Sequence, residues 1–134
     1  MTRAEREYSV FTPVSCYLPE SPVPDELLQG LAFVFGAPTI PALDLVDNRS
    51  VSRLLSPSGR YAYQVLGRSG AVYTCLANSL YCSCPAFFYS VVRKSDVLLC
   101  KHLLAAHVSE ALGQCTEVLV SDSTMAELMA FREN

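Results

Sequence analysis

Charge is scarce in this chain: only 17% of its 134 residues are Asp, Glu, Lys or Arg, against the roughly 25% usual for soluble domains. Hydrophobic residues make up 51%, so part of the apolar surface is expected to meet a partner. Long apolar runs are missing too. The longest candidate is Leu31 to Phe35, far short of the roughly 18 residues that cross a bilayer, so no membrane role is expected. The opening Met-Thr-Arg-Ala-Glu-Arg-Glu-Tyr carries both signs of charge and lacks the apolar segment of a secretory signal. The six cysteines are therefore read as reduced, and clustered cysteines in a reducing compartment point to metal or catalysis rather than disulfides. There is no internal repeat and no low-complexity tract, and the length suits about one domain.

What is present falls into four stretches. Residues 1–23 hold Pro13, Pro19 and Pro22 among polar residues without a sustained period, and read as a mobile leader. Residues 24–48 read as a helical, partner-docking region. Asp25 and Glu26 open its apolar stretch and Gly36 closes it, with acids at the positive end of the helix dipole and glycine as the stop. Its apolar residues cover more than one stripe, so Leu27, Leu28, Leu31, Val34 and Phe35 are the candidate docking residues. A short helical or irregular piece, Ala42 to Asp47, follows Pro38 and Pro41.

Residues 49–113 change character. Val51 to Leu55, Tyr61 to Leu66 and Val72 to Leu76 read as strands rich in Tyr, Val and Leu. Ser56-Pro57-Ser58-Gly59 suits a type I turn, with Pro second and Gly fourth, and Gly67-Arg68-Ser69-Gly70 turns the chain again. An amphipathic helix follows Cys100-Lys101-His102 and ends near Gly113. Residues 114–134 read as a C-terminal helix from Asp122 to about Arg132, with Thr124 and Glu127 spaced as a capping box. The fold class is α+β: a small antiparallel meander packed with helices at either end of the sequence.

Cys82, Cys84, Cys100 and His102 offer three thiolates and one imidazole, the donor set of a closed tetrahedral zinc site. Side chains two apart point the same way at a strand end, where Pro85 stops the strand. Cys100 and His102 can converge only at an irregular first helical turn, so the metal would clip strand end to helix start. Catalysis by cysteine needs a base within reach. The chain has just two histidines, and His107 lies two turns beyond Cys100, too far for a catalytic pair. Iron–sulfur ligation asks for other spacings. Cys16, Cys75 and Cys115 lack paired neighbours and read as small buried hydrophobes.

Net charge is −3, but it is unevenly spread. Between residues 49 and 101 seven bases face the single acid Asp96, while the flanks hold three bases and twelve acids. A zinc-loaded site with three thiolates adds about −1, so the basic centre survives.

Cys82-Ser83-Cys84-Pro85-Ala86-Phe87 and Cys100-Lys101-His102-Leu103-Leu104-Ala105 resemble the C-x-C, C-x-H module of SWIM-type zinc fingers, with a strand, strand, helix core. Further strings resemble the small SWIM-domain subunit of the Shu complex: Leu43-Asp44-Leu45-Val46-Asp47, Ser56-Pro57-Ser58-Gly59-Arg60, Tyr63-Gln64-Val65-Leu66-Gly67, Tyr73-Thr74-Cys75-Leu76 and Arg93-Lys94-Ser95-Asp96. The resemblance implies a nuclear, non-catalytic subunit in homologous recombination. It would act with a RecA-like recombinase paralogue to promote or protect recombinase filaments on single-stranded DNA. Arg60, Arg68, Arg93, Lys94 and Lys101 are then the candidate phosphate contacts, Lys101 being held between two zinc ligands. The alternative is a SWIM adaptor that binds only protein.

Overall fold

The computed structural model describes residues 23–76 and 79–130. All but the last residue of the leader read at 1–23 lies outside the described residues, as do Cys16 and Arg132.

Helix α1, Asp25–Phe35, begins after Pro24 with both acids in its first turn and stops at Gly36, whose φ of 70° is the left-handed conformation glycine tolerates. Helix α2, Thr39–Asp47, accommodates Pro41 in its first turn, where backbone N–H groups have no helical partner to lose. It buries Thr39, Ala42, Leu45 and Val46, and the Thr39 hydroxyl donates to the Leu31 carbonyl of α1 at 3.3 Å.

Strands β1 (Val51–Leu55), β2 (Tyr61–Leu66), β3 (Val72–Leu76) and the two-residue β4 (Tyr81–Cys82) form the expected antiparallel meander. The Ser56 carbonyl accepts from Gly59 N–H at 3.0 Å and Gly59 takes φ 87°, closing the turn as its residues predict. Next come a wide helical segment, Phe87–Arg93, and helix α3, Lys101–Ala111.

The segment after residue 113 departs from the sequence reading. Thr116–Leu119 is strand β5, pairing parallel with β1 and giving the sheet order β4-β3-β2-β1-β5. The C-terminal stretch, for which only a helix from Asp122 is expected, thus begins by extending the sheet. Helix α4, Asp122–Met129, follows, and its cap is Ser121, whose Oγ accepts from Thr124 N–H at 3.1 Å. Thr124 therefore lies inside the helix and does not cap it.

The sheet is covered on both faces. The alternation of side chains along strands sends Val51, Tyr63, Val65 and Cys75 into the main core with α2 and with Leu103, Leu104, Ala105 and Ala106 of α3. Leu54 and Ala62 point the other way, against Met125 of α4. Arg53 is only 6% exposed; its guanidinium meets Glu110 of α3 at 3.4 Å and lies over the Tyr61 ring at 4.8 Å. A residue counted with the basic centre is thus part of the interior.

Candidate metal centre

The meander ends where α3 begins, and four donors meet there. Cys82 closes β4, Cys84 lies past the strand end before the wide helical segment, Cys100 is the residue capping α3, and His102 stands in its first turn. All four are buried, and their ligand atoms lie within 4.8 Å of one another. Zn–S bonds of about 2.3 Å in a tetrahedron place sulfurs about 3.8 Å apart, so this cluster suits one zinc ion.

Local backbone geometry fixes two of the sulfurs. Phe87 N–H donates to Cys84 Sγ at 3.2 Å, and Leu103 N–H donates to Cys100 Sγ at 3.5 Å. Each sulfur therefore caps a helical turn, where exposed N–H groups favour negative charge. The bond from Cys100, then that from Cys82, holds the Cys84 thiol far below the ordinary thiol range against the opposing effect of burial. Cys100 is pushed far up by its bonds to Cys82 and Cys84 and by burial. Three buried sulfurs this close cannot all be thiolates without a cation among them. His102, 4% exposed, has neither ring nitrogen hydrogen-bonded among the described residues, and a buried polar atom without a partner is costly. A metal ion balances the sulfurs and takes one of the two imidazole nitrogens. The set Cys82, Cys84, Cys100 and His102 therefore fits zinc, which would clip β4 and the wide segment to the start of α3. Four protein donors fill a tetrahedron and leave no position for a substrate.

Two contributors escape the spacing argument. Cys75, read as an inert core residue, is fully buried and its Sγ lies 3.6 Å from Cys82 Sγ, with the two residues paired across β3 and β4. The Tyr73 ring packs on the His102 ring, centroids 4.2 Å apart. Pairing the two short strands around the Asn78 break would have placed Cys75 opposite Cys82. His107 is exposed on the surface of α3.

The basic candidates do not form one group. Arg60 precedes β2 and lies near Asp122, whereas Arg68 follows β2 and binds Asp44 through Nη2 at 2.7 Å. Lys101 lines the same cleft as Arg68 and Asp44. Arg93 and Lys94 sit together at the end of the wide segment, Lys94 Nζ lying 4.8 Å over the Tyr89 ring.

The docking candidates divide as well. No residue of α1 is buried. Leu27, Leu31 and Phe35 form a stripe facing Leu104 and Val108 of α3 and Leu112 at its end across an apolar groove of about 440 Å³, and Leu28 is half-buried. Val34 is 54% exposed, and Phe33, which the sequence set omits, is 92% exposed.

No family model matches the chain, and no solved structure matches it. Curated relatives do. The mouse (Mus musculus) zinc finger SWIM domain-containing protein 7 is 60% identical over 107 residues, covering 80% of this chain and 70% of the relative. The human (Homo sapiens) protein of that name is 52% identical over 107 residues, covering 80% and 76%. The zebrafish (Danio rerio) one is 51% identical over 108 residues, covering 81% and 77%. With the donor cluster in place and identity of this order over about four fifths of the sequence, the chain belongs to the SWIM-type zinc-finger family of zinc finger SWIM domain-containing protein 7.

Proposed function

We propose that this SWIM zinc-finger protein is a non-catalytic, nuclear subunit of a Shu-type complex that supports homologous recombination. It docks on a RecA-like recombinase paralogue, and the complex promotes or protects recombinase filaments on single-stranded DNA. The observation that carries the reading is α1: eleven residues, six of them Leu, Phe or Val, with none buried. Its inner stripe faces α3 across the apolar groove, while Phe33 and Val34 are exposed. A helix apolar on both sides is stable when something covers its outer side.

The decisive test is copurification with the recombinase paralogue after Phe33→Asp and Val34→Asp. These two side chains are preferable to Leu31, which lines the groove against the chain's own α3, and to Phe35, which packs against the core. Burying one large apolar side chain contributes roughly 1.5 to 3 kcal/mol, so the double variant should lose the partner at least a hundredfold while keeping its zinc. Undiminished copurification of a zinc-loaded double variant would sink the docking reading.

A protein-only adaptor is the second reading, and the charge pairing favours it: Arg53 and Arg68 are already engaged by Glu110 and Asp44. Single-stranded DNA binding by the assembled complex, titrated with salt, separates the two. An adaptor leaves affinity unchanged when Arg93 and Lys94 are reversed to Glu.

A further inference from the structure

We propose that β3 is the outer layer of the metal centre, with Cys75 and Tyr73 as positioning residues for two ligands that come from different parts of the chain. Residues two apart on a strand share a face, and Tyr73 and Cys75 both face α3. Cys75 Sγ–H donates to Cys82 Sγ at 3.6 Å, satisfying a sulfur of the first ligand pair. Tyr73 packs its ring on His102 of the second pair at 4.2 Å, tilted 34°. Metal-bound imidazoles usually donate their second N–H to a carboxylate or carbonyl, but neither His102 nitrogen has such a partner among the described residues. The aromatic face does the orienting instead.

The residue between them is fastened too. Thr74 N–H donates to Ser83 Oγ at 3.0 Å, and Ser83 N–H donates to the Thr74 carbonyl at 3.0 Å. Ser83 is the single residue between Cys82 and Cys84, so this reciprocal pair anchors the one-residue gap to the sheet. Three consecutive strand residues thus hold His102, the Ser83 knuckle and Cys82. Gly67 leaves Tyr73 its room. A Cβ there would stand 3.1 Å from Tyr73 Cε2 and 3.3 Å from the Ala71 carbonyl, so a side chain would force the ring to shift by a few tenths of an ångström.

The test uses the 134-residue chain loaded with Co²⁺, read by its sulfur-to-cobalt charge-transfer absorption, and zinc affinity measured against a chromogenic chelator. Cys75→Val should keep the intensity of three thiolates, move the band to lower energy because the Cys82 thiolate has lost a donor, and weaken zinc about 10- to 100-fold. Cys75→Ser, which keeps a donor, should stay nearer wild type in both readouts. If Cys75→Val does not fold, Cys75→Ala removes the same donor without added bulk and is judged by the same band. Tyr73→Leu should weaken zinc by a similar factor and Tyr73→Phe should not. Gly67→Ala should weaken zinc in the wild-type background and add little in the Tyr73→Leu background, since both act through one ring.

Three results overturn the proposal. An intensity loss of one thiolate in Cys75→Val, equal to that of Cys84→Ser measured alongside, would make Cys75 a ligand. An unshifted band with unchanged affinity would make it inert packing. Equal weakening in Tyr73→Phe and Tyr73→Leu would assign the effect to the hydroxyl rather than the ring.

Discussion

Stripping the metal should unfold the domain rather than only its knuckle. The donors join elements held by few strand contacts: β4 pairs with β3 over two residues, Cys75 with Cys82 and Leu76 with Tyr81, extended by the Thr74–Ser83 pair. Yet the ligand at the other end, His102, begins the helix that contributes Leu103, Leu104, Ala105 and Ala106 to the main core. Disorder starting at the site therefore reaches the core within one turn of α3. Structural zinc supplies on the order of 10 kcal/mol of binding free energy coupled to folding, and a domain of this size has a net stability of about 5–15 kcal/mol. The apo state also keeps a buried imidazole without hydrogen bonds, a penalty of about 1–3 kcal/mol. Removing the ion thus takes away most or all of the margin. The assay is titration with a zinc chelator, followed by far-ultraviolet circular dichroism and by amide exchange across β1 to β3. Exchange protection there should collapse in step with zinc loss, and His102→Ala or Cys84→Ser should reproduce the apo spectrum. A metal-free chain that still melts cooperatively within a few degrees of the loaded one would refute the reasoning and make the core self-sufficient.

Three further outcomes follow from contacts away from the donors. Glu110→Ala removes the carboxylate that meets the 6%-exposed Arg53; loss of one partner of a fully buried pair costs about 3–5 kcal/mol, and because Glu110 is 31% exposed the expected loss is nearer 1–3 kcal/mol, read as a lower denaturation midpoint at unchanged slope. A midpoint equal to wild type would show that Arg53 needs no acid. Cys115 is pushed up to about 12, by burial first and then by Glu110; its alkylation at pH 8 in the native chain should run about a thousandfold slower than that of a free thiol, and a rate matching the denatured chain would contradict this. Asp122 is held below the ordinary carboxylate range by the Ser58 side chain and then its backbone N–H at 3.0 Å. A depressed carboxylate stabilises above its unfolded value, about 3.9, and that contribution fades as pH falls through the folded value. The Asp122→Asn melting temperature should therefore lie below wild type at pH 6 and converge with it below about pH 4, whereas a gap that widens with acid would reverse the sign.

The ligands were legible in the sequence because each half of the site is local. Cys82 and Cys84, and likewise Cys100 and His102, are separated by a single residue, and short-range spacing survives any tertiary arrangement. The hairpin turns were legible for the same reason, since Pro57 and Gly59 act on their own backbone. Strand β5 was not: Thr116–Leu119 has all four residues exposed, so it shows no alternation, and it is a strand only because Ser52 to Leu55 of β1 offer it a parallel partner. Cys75 illustrates the same limit within the site. Alone at its position it resembles any small core residue, and its meaning comes from lying opposite Cys82.

The basic centre shows what a charge count leaves out, and it fixes the size of the effect expected from DNA. Five candidates, each contributing about −0.7 to the slope of log affinity against log salt on single strands, would give a slope near −3.5. Folding removes some of them. Arg68 is held by Asp44 at 2.7 Å, and Arg60 stands beside Asp122 at the opposite end of β2. Arg93, Lys94 and Lys101 remain, all exposed, which brings the slope from this chain to about −2. On the proposed reading, reversing Arg93 and Lys94 to Glu should flatten the measured slope of the assembled complex by one to two units of 0.7, and Arg60→Glu should leave it unchanged. Asp44→Ala should steepen the slope by about one unit, because it frees Arg68 beside Lys101. If the slope ignores both the Arg93 and Lys94 reversal and Asp44→Ala while the complex stays assembled, the phosphate contacts belong to the partner, and this chain's bases serve its own fold and interfaces.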